Sequence, residues 1–219
     1  MIENRRPVKS RGVQAFHSLA AFLVRLGLTP NIVSVMSAVF AILGGASLIF
    51  SAHADSARGA LLGILCAVFG IQLRLTCNLV DGLMAVEGGK RTPYGEFFND
   101  FPDRISDIAL FLAVGIALRF TGAHGAMTWA WAAALLAVLT AYIRVLGGSM
   151  GAPQFFLGPM AKQHRMAALN LGLVGTTIEV IYRGRFGDSL WVVLIVVAVG
   201  SLITCGRRAL AVIRHFSTP

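Results

Sequence analysis

The chain has 219 residues, of which 56% are hydrophobic and only 13% charged, with a mean hydropathy of +0.74. Soluble domains carry about 25% charged residues, so this composition excludes an ordinary water-soluble domain and reads as one membrane-embedded unit. The net charge of +9 comes with no soluble basic module, which argues against nucleic acid and for Lys/Arg-rich loops and anionic lipid.

The basic stretch MIENRRPVKSR opens the chain, and no small-residue cleavage site follows it, so no cleavable signal peptide is expected. From Val13 to Leu26 the apolar residues Val13, Phe16, Leu19, Ala20, Leu23 and Leu26 recur at helical spacing, with Gln14, His17, Ser18 and Arg25 opposite. This predicts an interfacial amphipathic helix. The sequence LTPN then breaks it, because Pro30 disfavours helix at Thr29. Six apolar runs of bilayer-spanning length follow, at about 31–52, 58–86, 95–119, 126–147, 166–182 and 189–212. The expected architecture is therefore an all-α integral membrane protein. Residues 1–29 form a basic segment and amphipathic helix, and 30–219 form a six-helix transmembrane domain.

Basic residues set the orientation. Arg5, Arg6, Lys9, Arg11, Arg25, Lys90, Arg91, Arg144, Lys162, Arg165, Arg207, Arg208 and Arg214 fall on one side, against Arg58, Arg119, Arg183 and Arg185 on the other. Positive charge stays inside, so both termini are expected to be cytoplasmic in a multi-pass protein of the cell membrane. The cysteines Cys66, Cys77 and Cys205 form no CxxC pair and read as small hydrophobes.

The segment CNLVDGLMAVEGGKRTPYGEFFNDFPDRISD, residues 77–107, holds six of the ten acidic residues. Asn78 and Asp81 stand three apart, and Asn99, Asp103 and Asp107 four apart, so each set shares a helix face. Two adjoining helices can thus point oxygens at each other. Carboxylates within membrane spans are costly and mark function. Oxygen donors of this kind suit Mg²⁺, Mn²⁺ or Ca²⁺ rather than zinc. Simple pairing of Asp81 and Asp103 with Arg74 and Arg104 is the structural alternative. Gly82, Gly88, Gly89 and Gly95 allow close approach at the helix ends.

At these residues the chain resembles the CDP-alcohol phosphotransferases, membrane enzymes of phospholipid synthesis with the signature D-x2-D-G-x2-A-R-x8-G-x3-D-x3-D. The spacing matches throughout as Asn78, Asp81, Gly82, Ala85, Val86, Gly95, Asn99 and Asp103, with asparagine at the first and third aspartate positions and Val86 in place of arginine. YIRVLGG and KQHR also resemble the family. The resemblance implies a homodimer and a catalytic domain over 30–219. It implies transfer of a substituted phosphate from CDP-diacylglycerol or another CDP-alcohol to a polar or lipid alcohol, with release of CMP. It further implies one or two Mg²⁺ or Mn²⁺ ions held by Asn78, Asp81, Asn99 and Asp103, with Asp103 also the general base and Asp81 the second catalytic carboxylate. Gly82, Ala85 and Gly95 would line the nucleotide site.

Asn78 and Asn99 bring carbonyl oxygens but no charge, which makes Asp100 and Asp107 candidate compensating carboxylates. Arg144, Lys162 and Arg165 suit substrate phosphate. Pro153, Gly158 and Pro159 make the connection before them irregular, as a flap over the site would be. A non-catalytic relative that binds lipid or nucleotide is the alternative function. A transporter with an ion site at Asp81 and Asp103 would instead place those carboxylates at mid-membrane.

Overall fold

A computed structural model describes residues 14–86 and 92–217. Arg5, Arg6, Lys9, Arg11, Gly88, Gly89, Lys90 and Arg91 lie outside the described residues, as does Val13. Seven helices follow in order: α1 Gln14–Arg25, α2 Pro30–His53, α3 Ala57–Val86, α4 Gly95–Phe120, α5 Ala126–Ser149, α6 Lys162–Arg183 and α7 Asp188–Ser217. Four of them, α2, α3, α5 and α7, are long and apolar enough to cross a membrane. The helices α4 and α6 have 26 and 22 residues but carry the charges of the polar centre.

The helix ends fall close to those expected, with two informative differences. Helix α6 starts at Lys162, because the polar run KQHR forms its first turn. Helix α7 runs on to Ser217, past the apolar stretch, as a charged extension ending in Arg214 and His215. Thr29 caps α2 as LTPN suggests: its hydroxyl accepts from the Ile32 amide at 3.4 Å, and Pro30 takes the first helical position.

The inner face of α1, with Phe16, Leu19, Leu23 and Val24, packs on Val80, Leu83 and Met84 of α3, while Phe22 and Leu26 point outward. The amphipathic helix thus braces the end of α3 that carries Asp81. The main core is built on small residues. Ala126, Ala130, Ala133, Ala134 and Ala137 of α5 are wholly buried. Trp129 and Trp191 pack partly against this core, whereas Trp131 is exposed.

Helices α2 and α3 meet through glycine. A Cβ on Gly70 would lie 2.8 Å from the Gly44 Cα and 2.8 Å from the Phe40 carbonyl oxygen. Backbone on both sides cannot yield as a side chain can, so Gly70→Ala forces the helices apart. We expect a loss of about 1–3 kcal/mol and a lower melting temperature in detergent. Gly206→Ala, where a Cβ meets nothing within 4 Å, should leave the melt unchanged.

Candidate active site

The C-terminal end of α3 and the N-terminal ends of α2, α4 and α6 come together with the end of α5. From α3, Asp81 is 2% exposed, and Ser34 of α2 donates its hydroxyl to Asp81 Oδ2. From α4, Asp103 is 5% exposed, and Lys162 of α6 donates to its Oδ2 at 2.5 Å. Asp81 lies within electrostatic reach of both Lys162 and Asp103. At 1.5 Å per residue, Asp81 is about 8 Å from the end of α3 and Asp103 about 12 Å from the start of α4.

Beneath this pair lies a second, fully buried layer. Asp107 is one turn deeper on α4, and its two oxygens accept from Arg74 of α3 and Arg165 of α6, each at 2.7 Å. Arg74 also donates to the Asp103 carbonyl at 3.4 Å and stands 3.7 Å from Asp103 Oδ1. Arg165 donates onward to the Met160 carbonyl at 2.9 Å and the Thr140 hydroxyl at 3.4 Å. Neither guanidinium is exposed by more than 1%.

The expected site residues therefore divide. Asp81, Asp103 and Lys162 converge. Asn78 is half-buried beside them and its amide nitrogen donates to the Arg74 carbonyl at 3.0 Å, which leaves its amide oxygen as the free donor atom. Asn99 is exposed. Arg165, expected at substrate phosphate, turns inward to Asp107. The two candidate compensating carboxylates are committed to guanidiniums: Asp107 as described, and Asp100 to Arg144 at 2.7 Å, with Arg104 at 3.9 Å. Arg144 is also held by Gln154 at 2.8 Å and lies 5.5 Å over the Phe156 ring. Arg104 stands 3.7 Å from Asp103 Oδ2, so the expected arginine pairing coexists with the convergence of the two carboxylates.

The connection between α5 and α6 is pinned rather than a free flap. Arg208 donates to the Leu157 carbonyl at 3.0 Å and Thr140 O at 2.6 Å. The Met160 amide donates to Thr204 at 3.0 Å, and the His164 ring bonds the Pro159 carbonyl at 2.7 Å. Ser34 and Arg208 were given no site role from the sequence, while Arg74, expected as a partner of Asp81 or Asp103, is taken chiefly by Asp107. For Ser34 the signal was a serine on the buried stripe of an apolar helix.

Two features test the site for a cation and a nucleotide. Asp81 Oδ1 and Asp103 Oδ1 are buried and have no hydrogen-bond partner among the described residues. A buried carboxylate oxygen without a hydrogen bond is costly, and Asp103 Oδ1 has only the Arg74 guanidinium at 3.7 Å; a divalent cation with oxygen ligands removes that cost, so the donor set fits. Beside Asp81, a Cβ on Gly82 would meet nothing within 4 Å; the space over that backbone is open to a ligand. A Cβ on Gly95 would meet the Thr92 hydroxyl at 3.3 Å, and Ala85 is half-buried on the same end of α3.

With this geometry the chain can be compared with known proteins. No family model matches it. It is 28% identical over 205 residues to the phosphatidylinositol phosphate synthase of Streptomyces avermitilis, spanning 90% of this chain and 77% of that protein. It is 27% identical over 140 residues to that of Cutibacterium acnes, spanning 63% and 62%. The crystal structure of the Mycobacterium tuberculosis phosphatidylinositol phosphate synthase with CDP-DAG bound superposes with a TM-score of 0.75 at 21% identity, over 91% of this chain and 94% of that one. The same enzyme in complex with manganese and citrate gives 0.73 at 22%, over 90% and 88%. The fold is that of the phosphatidylinositol phosphate synthases. The relatives in sequence carry the same name, so fold and sequence point to one group of membrane enzymes.

Two variants probe this site. Asp107→Asn leaves two buried guanidiniums without their carboxylate and should cost about 3–5 kcal/mol, read as a lost or strongly lowered melting transition. Gly82→Ala should melt like the parent yet raise the KM for the nucleotide-bearing substrate, because its methyl fills ligand space and touches no protein atom.

Proposed function

We propose that this protein is a phospholipid-synthesis transferase of the membrane, moving the phosphatidyl group of CDP-diacylglycerol to a hydroxyl of an inositol phosphate and releasing CMP. The observation that carries this is the pair of buried carboxylates, Asp81 and Asp103, each with an unpartnered oxygen, beside Lys162 on a fold shared with the phosphatidylinositol phosphate synthases. The relatives' name gives the product. Subtracting the phosphatidyl group of the CDP-linked donor from phosphatidylinositol phosphate leaves an inositol phosphate as acceptor.

All six helices α2–α7 would span the membrane, with α1 along the interface and the site at the cytoplasmic ends. The thirteen-to-four distribution of basic residues supports this orientation. The diacylglycerol tails stay in lipid while the diphosphate reaches the polar centre, and the acceptor arrives from water.

Asp81 and Asp103, with the Asn78 amide oxygen, would hold the divalent ion. Such an ion, when bound, neutralises the donor diphosphate and stabilises the CMP leaving group. The protein's own groups do the rest. Lys162, on a flexible four-carbon stem, moves from Asp103 to the acceptor phosphate and leaves Asp103 Oδ2 free. Asp103 takes the proton of the attacking hydroxyl. The new bond forms between that oxygen and the phosphatidyl phosphorus, and the bond to CMP breaks with its electron pair leaving on CMP. Gly82, Ala85 and Gly95 give the nucleotide close access to backbone. Arg144, fixed by Asp100 and Gln154, adds a positive charge at the mouth.

The test is CMP release by purified protein from CDP-diacylglycerol with Mn²⁺ or Mg²⁺. Release should require inositol phosphate and not occur with inositol. Asp103→Ala should lower turnover by about 10²–10⁴-fold or more, and Lys162→Met should raise the acceptor KM. Absence of CMP release with either metal and either acceptor would sink the proposal and favour a non-catalytic binding role.

A further inference from the structure

The donor atoms of the centre can be counted. Among the described residues, no group of three or more His, Cys, Asp and Glu side chains is placed to share a metal ion. Two carboxylates converge, and each has one oxygen already taken: Asp81 Oδ2 by the Ser34 hydroxyl and Asp103 Oδ2 by the Lys162 ammonium. Each has one buried oxygen with no hydrogen-bond partner, Oδ1 in both cases. Both residues are more than nine-tenths buried. Asp107, one turn away, has both oxygens on guanidiniums, and Asn99 is exposed.

Charge leads to the same count. Asp81, Asp103 and Asp107 are matched by Arg74, Arg165 and Lys162, with Arg104 also 3.7 Å from Asp103 Oδ2, so the set carries no net negative charge before anything binds. Two metal ions in a paired site sit about 3.5–4 Å apart and need several anionic ligands to offset their mutual repulsion. Here a second ion would have to displace Lys162 from Asp103 Oδ2 and would find only neutral amides in exchange.

We propose that this centre takes a single divalent cation, which Asp81 and Asp103 would hold, and that the Lys162 ammonium supplies on Asp103 Oδ2 the positive charge that a second ion would bring. Asn78 and Asn99 belong with this arrangement, because fewer carboxylates are required where one cation is a side chain. The inference deepens the functional proposal above and rests on its assignment of the centre to a divalent ion.

The test counts Mn²⁺ bound to the full chain in detergent, by titration calorimetry and by electron paramagnetic resonance. The parent should bind one Mn²⁺ per chain with the six-line spectrum of an isolated ion. Lys162→Met removes a positive charge from beside the ion and should tighten Mn²⁺ binding by about tenfold or more. Lys162→Met with Asn78→Asp should bind two Mn²⁺ with a broadened, coupled spectrum. Two ions bound to the parent, none bound, or unchanged affinity in folded Lys162→Met would overturn the inference. If Lys162→Met loses its melting transition, Lys162→Gln and the count on the parent decide. One bound Mn²⁺ without CMP release would refute the transferase reading and leave the one-ion centre standing; CMP release with two bound ions would do the reverse.

Discussion

The Asp107 carboxylate is the point on which the polar half of this protein turns. It joins α3 and α6 to α4 through two guanidiniums. Buried ion pairs repay their desolvation only when geometry is good and the remaining donors are satisfied. Here donors of Arg74 and Arg165 reach carbonyls and a hydroxyl at Asp103, Met160 and Thr140, while the Nε of each finds no hydrogen-bond partner among the described residues, so this layer fixes register more than it adds stability. Because both oxygens of Asp107 are used, α4 can neither rotate nor slide against α3 and α6 without stranding a charge. Asp103, one turn nearer the mouth, inherits that register and is delivered beside Asp81 and Lys162.

The far end of the bundle is closed by a smaller version of the same device. Glu179 of α6 accepts from the Gly187 and Ser189 amides at 3.0 and 2.8 Å and from the Ser189 hydroxyl. It thereby satisfies amide donors at the start of α7. Arg183, four residues on, stands at the spacing of a helical ion pair. The carboxylate prefers the helix end because exposed i,i+4 ion pairs contribute only about 0.3–0.5 kcal/mol, whereas unpaired buried amides cost more than that. Between the two polar ends buried alanines and close glycine contacts pack with larger apolar side chains such as Phe111 and Leu118.

Much of this was legible from composition and spacing. A bilayer demands long apolar runs; the six expected runs are helices, and four of them, α2, α3, α5 and α7, are long and apolar enough to cross a membrane. Carboxylates are rare enough in such a chain that Asp81 and Asp103 stand out, and helical spacing correctly turns them toward the polar end. What spacing cannot supply is the partner across helices. Ser34 meets Asp81 over 47 residues, and Arg165 meets Asp107 over 58. Lys162 and Arg165 are three apart and share a helix face, yet the first reaches the mouth and the second turns into the core. That split depends on the rotation of α6 against α4, which no single-helix pattern encodes. Asp107 looked like a spare carboxylate for the same reason: the two arginines that claim it lie on other helices.

The two asparagines then follow from the cations around them. A site with four carboxylates would be more strongly anionic than this one. This one is balanced by its own arginines and lysine, so the polar layer can assemble without ligand. The loss of charge at Asn78 and Asn99 is therefore consistent with a centre in which part of the positive charge is covalently tethered. A tethered ammonium differs from an ion in one useful way. It cannot leave, but it can swing: Lys162 rests on the carboxylate of Asp103, and the proposed reaction takes it from there to an arriving phosphate. Protection of the base and recognition of the substrate would then be two positions of one side chain.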